Sequence, residues 1–186
     1  MPEHLLGLVL AAGAGTRMGR PKALCVTDGV PWLHRAADAL RGGGCAGVRV
    51  VLGAAADDAR ALVPVGADVV VAGDWACGMG ASLAAGLSGL DASPATAVVV
   101  TLVDLPDLDA RAVSRVAAGP VGPGDLRRAT FGGVPGHPVL LGRDHWAALR
   151  RSLAGDAGAR DYLRTHPPVT VDCTGLPGGT DRDTPG

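Results

Sequence analysis

The chain has 186 residues and a formal net charge of -1, and 47% of its residues are hydrophobic while only 19% are charged. This composition argues against intrinsic disorder, because enough apolar surface is available to offset the entropy of ordering. The near-zero net charge provides no overall field that would attract nucleic acid or an anionic membrane surface. We therefore predict one folded domain over residues 1–186, with no nucleic-acid or membrane partner, in which any anionic ligand is bound locally.

The amino terminus and the cysteines favour a cytoplasmic location. The start Met-Pro-Glu-His lacks the basic segment and apolar core of a secretory signal, and no apolar run is long enough to span a bilayer. The cysteines form no C-x-x-C pair; they are Cys25, Cys45, Cys77 and Cys173. We expect reduced thiols rather than disulfides or a zinc site.

The first two thirds of the chain alternate predicted strands and helices. Leu5 to Leu10 is an apolar run that ends in Ala-Ala-Gly, which is typical of a buried parallel strand opening into a glycine-rich loop. The strongest strand signal follows at 97–103, where β-branched residues run into Asp104. Other strands are predicted at 48–52 and 68–71, and helices at 31–40, 57–62, 81–90 and 109–118.

The final third is less regular. It contains a predicted loop, edge strand, helix and last strand at 120–124, 126–131, 144–153 and 169–173, followed by a surface tail over 176–186. The alternation predicts a three-layer α/β/α domain with a mostly parallel, Rossmann-like sheet. Ligands bind beyond the carboxyl ends of such strands, so Gly13 and Asp104 should face the same crevice.

The loop after the first strand combines glycines with two cations. Its glycines at 13, 15 and 19 allow a sharp turn and bring backbone N–H groups against a polyphosphate. Arg17 and Lys22, the only lysine in the chain, suit the charge that develops on an α-phosphate and on departing pyrophosphate. The glycine spacing fits neither the dinucleotide-binding nor the Walker pattern, so those two classes are not supported.

The pattern Leu-Ala-Ala-Gly-x-Gly-x-Arg-Met-Gly-x-x-Lys, which starts at Leu10, resembles the signature of MobA-like NTP transferases, whose fold is nucleotide-diphospho-sugar transferase-like. The resemblance covers nearly the whole chain and points to the molybdenum cofactor cytidylyltransferase branch. Later segments similar to that branch are Gly78-Met-Gly-Ala-Ser-Leu83, Val103-Asp-Leu-Pro106, Gly136-His-Pro-Val139, Gly155-Asp-Ala-Gly-Ala-Arg160 and Asp181-Arg-Asp-Thr-Pro185.

The resemblance implies transfer of a nucleoside monophosphate from an NTP to a phosphate-bearing acceptor, with release of pyrophosphate. The branch implies molybdopterin as the acceptor and a molybdoenzyme as a possible partner. Ala12 in the Leu-Ala-Ala-Gly form is associated with cytidine, and Leu-Ala-Gly-Gly with guanosine, so CTP is favoured over another NTP. Two alternatives stay open: transfer to a sugar or alcohol phosphate, and a non-catalytic nucleotide-binding chaperone for the cofactor.

Such a transfer depends on positioning and charge neutralisation rather than on a protein nucleophile. We predict Arg17, Lys22 and Asp104 as catalytic residues and Mg²⁺ as the cofactor, because Mg²⁺ prefers one or two carboxylates together with phosphate oxygens. Asp104 is the first expected ligand, with a helix cap as the alternative role. The family pattern favours Asp181 over Asp183 as the second ligand.

The remaining site predictions concern the nucleotide and the acceptor. Ser82 follows a turn whose helix amides suit a ribose or phosphate, although a simple cap explains it nearly as well. Asp74 is included because the family's usual asparagine is Ala72 here. The predicted nucleotide-binding residues are Leu10, Ala11, Ala12, Gly13, Gly15, Arg17, Lys22, Asp74, Gly80 and Ser82.

His137 and Arg160 are predicted to bind the acceptor. The alternatives are that His137 only orders its loop and that Arg160 is a solvated surface arginine. Asp156 is predicted to cap the helix that carries Arg160. The three tryptophans are predicted to pack in the core rather than to stack on a base, with Trp75 nearest to the proposed base pocket.

Overall fold

A computed structural model describes residues 5–182. Nine strands form, two of them in a short separate hairpin. The strands are β1 (Leu5–Ala11), β2 (Val26–Thr27), β3 (Val30–Pro31), β4 (Gly47–Leu52), β5 (Asp68–Val71), β6 (Ala97–Leu102), β7 (Leu126–Phe131), β8 (Val134–Gly142) and β9 (Val169–Asp172). The α-helices are α1 (Trp32–Gly42), α2 (Ala56–Ala59), α3 (Met79–Leu87), α4 (Ala110–Val116), α5 (Arg143–Ser152) and α6 (Arg160–Thr165).

The main sheet has the strand order β5-β4-β1-β6-β8-β7-β9. β8 alone runs against its neighbours, and every other pair in this sheet is parallel. The predicted α/β fold with a mostly parallel sheet is therefore confirmed. Because β1 and β6 are adjacent and parallel, the loops that follow them emerge at the same edge of the sheet.

The core lies in two apolar layers, one on each face of the sheet. Side chains of β1 alternate between them: Leu5 and Val9 join the layer covered by α1 and α4, whereas Leu8 and Leu10 join the layer covered by α3, α5 and α6. Helices on both faces give the predicted three-layer arrangement. No helix within residues 5–182 is long and apolar enough to cross a membrane.

Three predictions about local structure were wrong. The strand at 126–131 forms but is not an edge, because β9 pairs with its outer side. The segment 134–142, left without a strand in the sequence analysis, is β8 and joins β6 to β7. Asp156 does not cap α6; it lies in a 3₁₀ turn at Gly155–Ala157, and the residue before α6 is Ala159, which makes no side-chain cap bond.

The structure shows the cysteines as separate thiols. All four are free, and three of them are buried: Cys25, Cys45 and Cys173. Burial raises the pKa of the Cys45 thiol to about 12, so this thiol stays protonated and behaves as a small apolar side chain.

Candidate active site

A cleft of about 530 Å³ opens at the carboxyl ends of β1 and β6. It lies at the sheet edge that the order of elements predicted, and Gly13 and Asp104 both line it. Most of the residues predicted to bind the nucleotide line this cleft: Leu10, Ala11, Ala12, Gly13, Gly15, Arg17, Lys22 and Ser82. Their roles remain predictions, but the fold brings them to one cavity.

Gly15 closes the glycine-rich loop on itself. Its φ of +63° is one that side-chain-bearing residues rarely adopt, and a Cβ atom there would overlap the carbonyl oxygen of Arg20. The carbonyl of Gly15 accepts a hydrogen bond of 2.9 Å from the N–H of Met18, which begins a 3₁₀ turn carrying Arg17. Gly15 is therefore required by the loop's own geometry.

Gly13 is unlike Gly15, because apart from its two chain neighbours no residue within 5–182 has an atom within 4 Å of the position that its Cβ would take. It lines the cleft, so the open space beside it belongs to the cavity. Packing within the protein therefore does not require a glycine at this position, whereas close approach of a ligand would.

We expect Gly13→Ala to weaken triphosphate binding about tenfold or more while the melting temperature changes little, because the added methyl group contacts only the ligand. Isothermal titration with CTP and a thermal melt measure both quantities. Gly73→Ala is the matched control, since its Cβ also meets nothing within 4 Å and Gly73 does not line the cleft. Unchanged affinity in Gly13→Ala would remove Gly13 from the binding loop.

Lys22 and Asp104 join the glycine-rich loop to the end of β6. Lys22 Nζ lies 2.8 Å from Asp104 Oδ2, and the two side chains are only 16% and 18% exposed. The other carboxylate oxygen, Oδ1, is buried and accepts no hydrogen bond from any residue that the structure describes. A buried carboxylate oxygen without a donor is costly unless it meets a cation or a donor from a ligand.

The segment that contains Asp181 and Arg182 is hydrogen-bonded beside Asp104. The Arg182 N–H donates a 2.8 Å hydrogen bond to the Asp104 carbonyl, and the Arg182 guanidinium lies 2.7 Å from Asp107. Asp181 is therefore next in the chain to a residue held against Asp104, although its own side chain is exposed and is not among those lining the cleft. Asp183 lies outside the described residues.

Trp75 and Ala12 both line the cleft and approach each other at Gly53. A Cβ at Gly53 would lie 2.5 Å from the Ala12 carbonyl oxygen and 2.7 Å from the Trp75 Cβ, so a glycine is needed for this approach. Trp75 is partly exposed and lines the cleft, whereas Trp32 and Trp146 are buried. The packing prediction thus fits the latter two, and Trp75 borders the cavity.

Asp156 lines the cleft, although the sequence predicted only a capping role for this residue. Its Oδ1 would overlap a Cβ at Gly78, which has φ +104° at the start of α3. The glycines on both sides of the Asp156 turn, Gly155 and Gly158, each have φ +54°. In the sequence, the Gly-Asp-x-Gly pattern with Asp156 four residues before Arg160 indicates a turn at Asp156 rather than a helix cap.

Two predicted nucleotide-binding residues do not line the cleft. Gly80 is buried in α3, where a Cβ would lie 3.1 Å from the Ala154 nitrogen and the Gly155 carbonyl oxygen. Its small size therefore allows the Asp156 turn to seat on α3. Asp74 is exposed, and its carbonyl accepts a 2.9 Å hydrogen bond from the Cys77 N–H in the turn that carries Trp75.

His137 and Arg160, the predicted acceptor residues, lie outside the lining of the cleft. His137 is in β8, two residues from Val139, which pairs with Val100 in β6. Burial, with a smaller contribution from the Arg128 charge, lowers the pKa of His137 to about 4. At neutral pH its imidazole is therefore uncharged and keeps one N–H donor and one acceptor.

The low pKa of His137 predicts acid sensitivity. In the unfolded chain this imidazole takes up a proton near pH 6.5, whereas the folded protein resists protonation down to about pH 4. Stability is therefore lost as pH falls from about 6.5 to 4, by at most about 3 kcal/mol. Urea unfolding of wild type and His137→Gln across this range should show a shallower pH dependence in the variant; identical curves would refute the shift.

Comparisons with known proteins decide the family. Residues 7–170 match the MobA-like NTP transferase domain. The chain belongs to the MobA-like NTP transferase family. This membership puts it among the nucleotidyltransferases and confirms the resemblance noted in the sequence.

Relatives of this MobA-like chain carry different names. It is 38% identical to the nicotine blue oxidoreductase of Paenarthrobacter nicotinovorans, over 96% of the chain and 91% of that protein. It is 34% identical to the molybdenum cofactor guanylyltransferase of Rhodobacter capsulatus, over 78% of the chain and 67% of that protein.

Solved structures share the whole fold. Rv0371c of Mycobacterium tuberculosis H37Rv superposes with a TM-score of 0.82 and 30% identity, covering 99% of this chain and 95% of that one. A structure of the same mycobacterial protein in complex with manganese superposes with a TM-score of 0.78, covering 96% and 94% of the two chains.

Proposed function

We propose that this protein transfers CMP from CTP to the phosphate of a molybdopterin-type acceptor in the cytoplasm. In this reaction an acceptor phosphate oxygen forms a bond to the α-phosphorus of CTP. The bond from that phosphorus to the oxygen bridging the α- and β-phosphates breaks, and pyrophosphate leaves with the electron pair. A molybdoenzyme is the expected recipient of the product.

One observation carries the proposal: the 2.8 Å contact between Lys22 and Asp104 brings a phosphate-binding cation to a strand-end carboxylate inside the cleft. The loop amides around Gly13 and Gly15 suit the triphosphate, with Arg17 as a second cation on the same wall. These residues bind and orient charge rather than attack the substrate, which is the requirement of nucleotidyl transfer.

Mg²⁺ fits the carboxylates that are present. Asp104 Oδ1 is buried without a partner in the described part of the chain, and oxygen is the ligand type that Mg²⁺ prefers. Asp181 is the proposed second ligand because Arg182 holds this segment against Asp104. Bound Mg²⁺ would neutralise charge on the phosphates. The manganese complex of Rv0371c supports a divalent cation in a relative of this fold.

The choice of CTP depends on Ala12. Its side chain is 2% exposed and sits where Gly53 and Trp75 close the wall of the cleft. The Rhodobacter relative is named a guanylyltransferase, so GTP is the competing nucleotide. Pyrophosphate release measured with CTP, GTP and ATP, each with molybdopterin, tests the proposal. Activity with GTP and none with CTP would overturn the nucleotide assignment, and Ala12→Gly should shift the preference toward GTP.

The acceptor is tested in the same assay. Pyrophosphate release with a sugar phosphate or an alcohol phosphate, and none with molybdopterin, would favour the alternative transferase. Binding of CTP without any release of pyrophosphate in the presence of Mg²⁺ and all acceptors would favour a nucleotide-binding chaperone. Transfer of labelled CMP to molybdopterin supports the proposal directly.

A redox reaction is a second candidate, because the Paenarthrobacter relative is named an oxidoreductase and matches 96% of this chain. The glycine-rich loop does not have the G-x-G-x-x-G spacing of dinucleotide-binding proteins. Following the absorbance of NADH and NADPH with nicotine blue as the electron acceptor separates the two activities. Turnover there, with no pyrophosphate release from any NTP, would replace the transferase proposal.

A further inference from the structure

Arg128 is a half-buried arginine with an unusual set of neighbours. It lies in β7, and among the described residues the only hydrogen bond of its side chain runs from Nε to the Gly136 carbonyl, at 3.2 Å. The adjacent Arg127 differs: its two terminal nitrogens donate to three backbone carbonyls, of Val116, Ala118 and Pro120, and contact Asp125. Arg127 therefore stabilises the loop that precedes β7, whereas the terminal nitrogens of Arg128 make no such contacts with the described residues.

Arg128 and Arg160 form a pair of cations without an acidic partner. Neither has a carboxylate within ion-pair distance anywhere in residues 5–182. Burial, and secondly the like charge of Arg160, lower the pKa of Arg128. Arg128 remains charged, since a guanidinium is not deprotonated in proteins. An anion between them would relieve this repulsion.

His137 lies beside Arg128, because the Arg128 Nε–H donates its hydrogen bond to the carbonyl of Gly136, the residue before His137. Leu126 belongs to the apolar layer under α3, α5 and α6, so Arg128, two residues further along β7, projects on that face. Arg160 is exposed at the start of α6, and the next turn of this helix packs in the same layer through Tyr162 and Leu163. Arg160 is also near the cleft in the chain, because Asp156, four residues before it, lines the cleft.

We propose that Arg128 and Arg160, with the neutral imidazole of His137, form an anion site next to the cleft that binds an anionic group of the acceptor. Arg128 lies in none of the motifs that carry the family resemblance. The assignment of this anion to the acceptor rests on the proposed transferase function, whereas the anion site itself does not.

The anion site is tested with inorganic phosphate as the probe. In ¹⁵N-labelled protein, the arginine Nε–Hε signals of Arg128 and Arg160 are assigned by their loss in Arg128→Met and Arg160→Gln. Both signals should shift saturably with phosphate at constant ionic strength, and the dissociation constant reported by Arg160 should rise at least about tenfold in Arg128→Met. The Arg164→Gln variant, on the same helix and exposed, should behave as wild type.

Transfer kinetics then separate the two proposals. With molybdopterin and CTP, Arg128→Met should raise the KM for molybdopterin about tenfold and leave the KM for CTP unchanged, and Arg128→Lys should lie between it and wild type. Phosphate binding at both arginines without any CMP transfer would keep the anion site and reject the proposed acceptor. No shift at either arginine, or a raised KM for CTP alone, would overturn the anion site; if Arg128→Met does not fold, Arg160→Gln gives the same readouts.

Discussion

Asp104→Asn is expected to lower the rate of pyrophosphate release by at least about a hundredfold. The change keeps the shape of the side chain but removes the charge that meets Lys22 at 2.8 Å and that we assign to Mg²⁺. The fold should persist, because Oδ1 has no donor to lose among the residues described. Steady-state release of pyrophosphate from CTP, with a melting curve on the same sample, measures both effects.

Asp57→Asn is the matched control for this loss, since Asp57 is an exposed carboxylate in the first turn of α2 and does not line the cleft. It should release pyrophosphate at the wild-type rate. A non-catalytic chaperone would show no release in any of the three proteins and would keep binding CTP. Full activity in Asp104→Asn would remove this carboxylate from the metal site.

Gly15→Ala is expected to abolish triphosphate binding, raising the dissociation constant for CTP at least about a hundredfold. Two costs combine at this position: φ of +63° is unfavourable for alanine, and the methyl group would overlap the Arg20 carbonyl oxygen. The loop from Gly13 to Lys22 must then rearrange, which separates its amides from its cations. Titration calorimetry with CTP, in parallel with urea unfolding, measures the result.

Gly29→Ala separates these two costs. Gly29 has φ +76° between β2 and β3, but its Cβ would meet nothing within 4 Å, and it does not line the cleft. This variant should lose about 1 kcal/mol of stability from the backbone conformation alone and keep wild-type affinity. If Gly15→Ala lost no more stability than Gly29→Ala and still bound CTP, the loop would have another conformation.

The sequence predicted the parallel half of the sheet well, for a physical reason. β1, β4 and β6 are largely buried on both faces, so apart from Arg49 and Thr101 each is a run of apolar residues or glycine that depends little on distant partners. β8 is different, because Pro135 and Pro138 give its segment the local pattern of a loop. It becomes a strand through pairing with β6 and β7 on its two sides, which no local pattern reveals.

The candidate site, like the fold, could be predicted from the sequence only in part. Residues of the glycine-rich loop and Asp104 follow strands directly, so the strand order predicted their meeting. The sequence does not distinguish Gly13 from Gly15, because the distinction is whether a Cβ would meet the cavity or the Arg20 carbonyl. The sequence does not distinguish Arg127 from Arg128 either, although the two side chains project from opposite faces of β7.

The attachment of Arg182 to the Asp104 carbonyl has a practical consequence for making the protein. A purification tag fused on the carboxyl side of Arg182 would begin close to the strand end that we assign to the metal, because the Arg182 N–H is hydrogen-bonded to the Asp104 carbonyl. The start of β1 lies at the opposite end of that strand from the glycine-rich loop. Expression vectors for activity measurements should therefore carry the tag at the amino end.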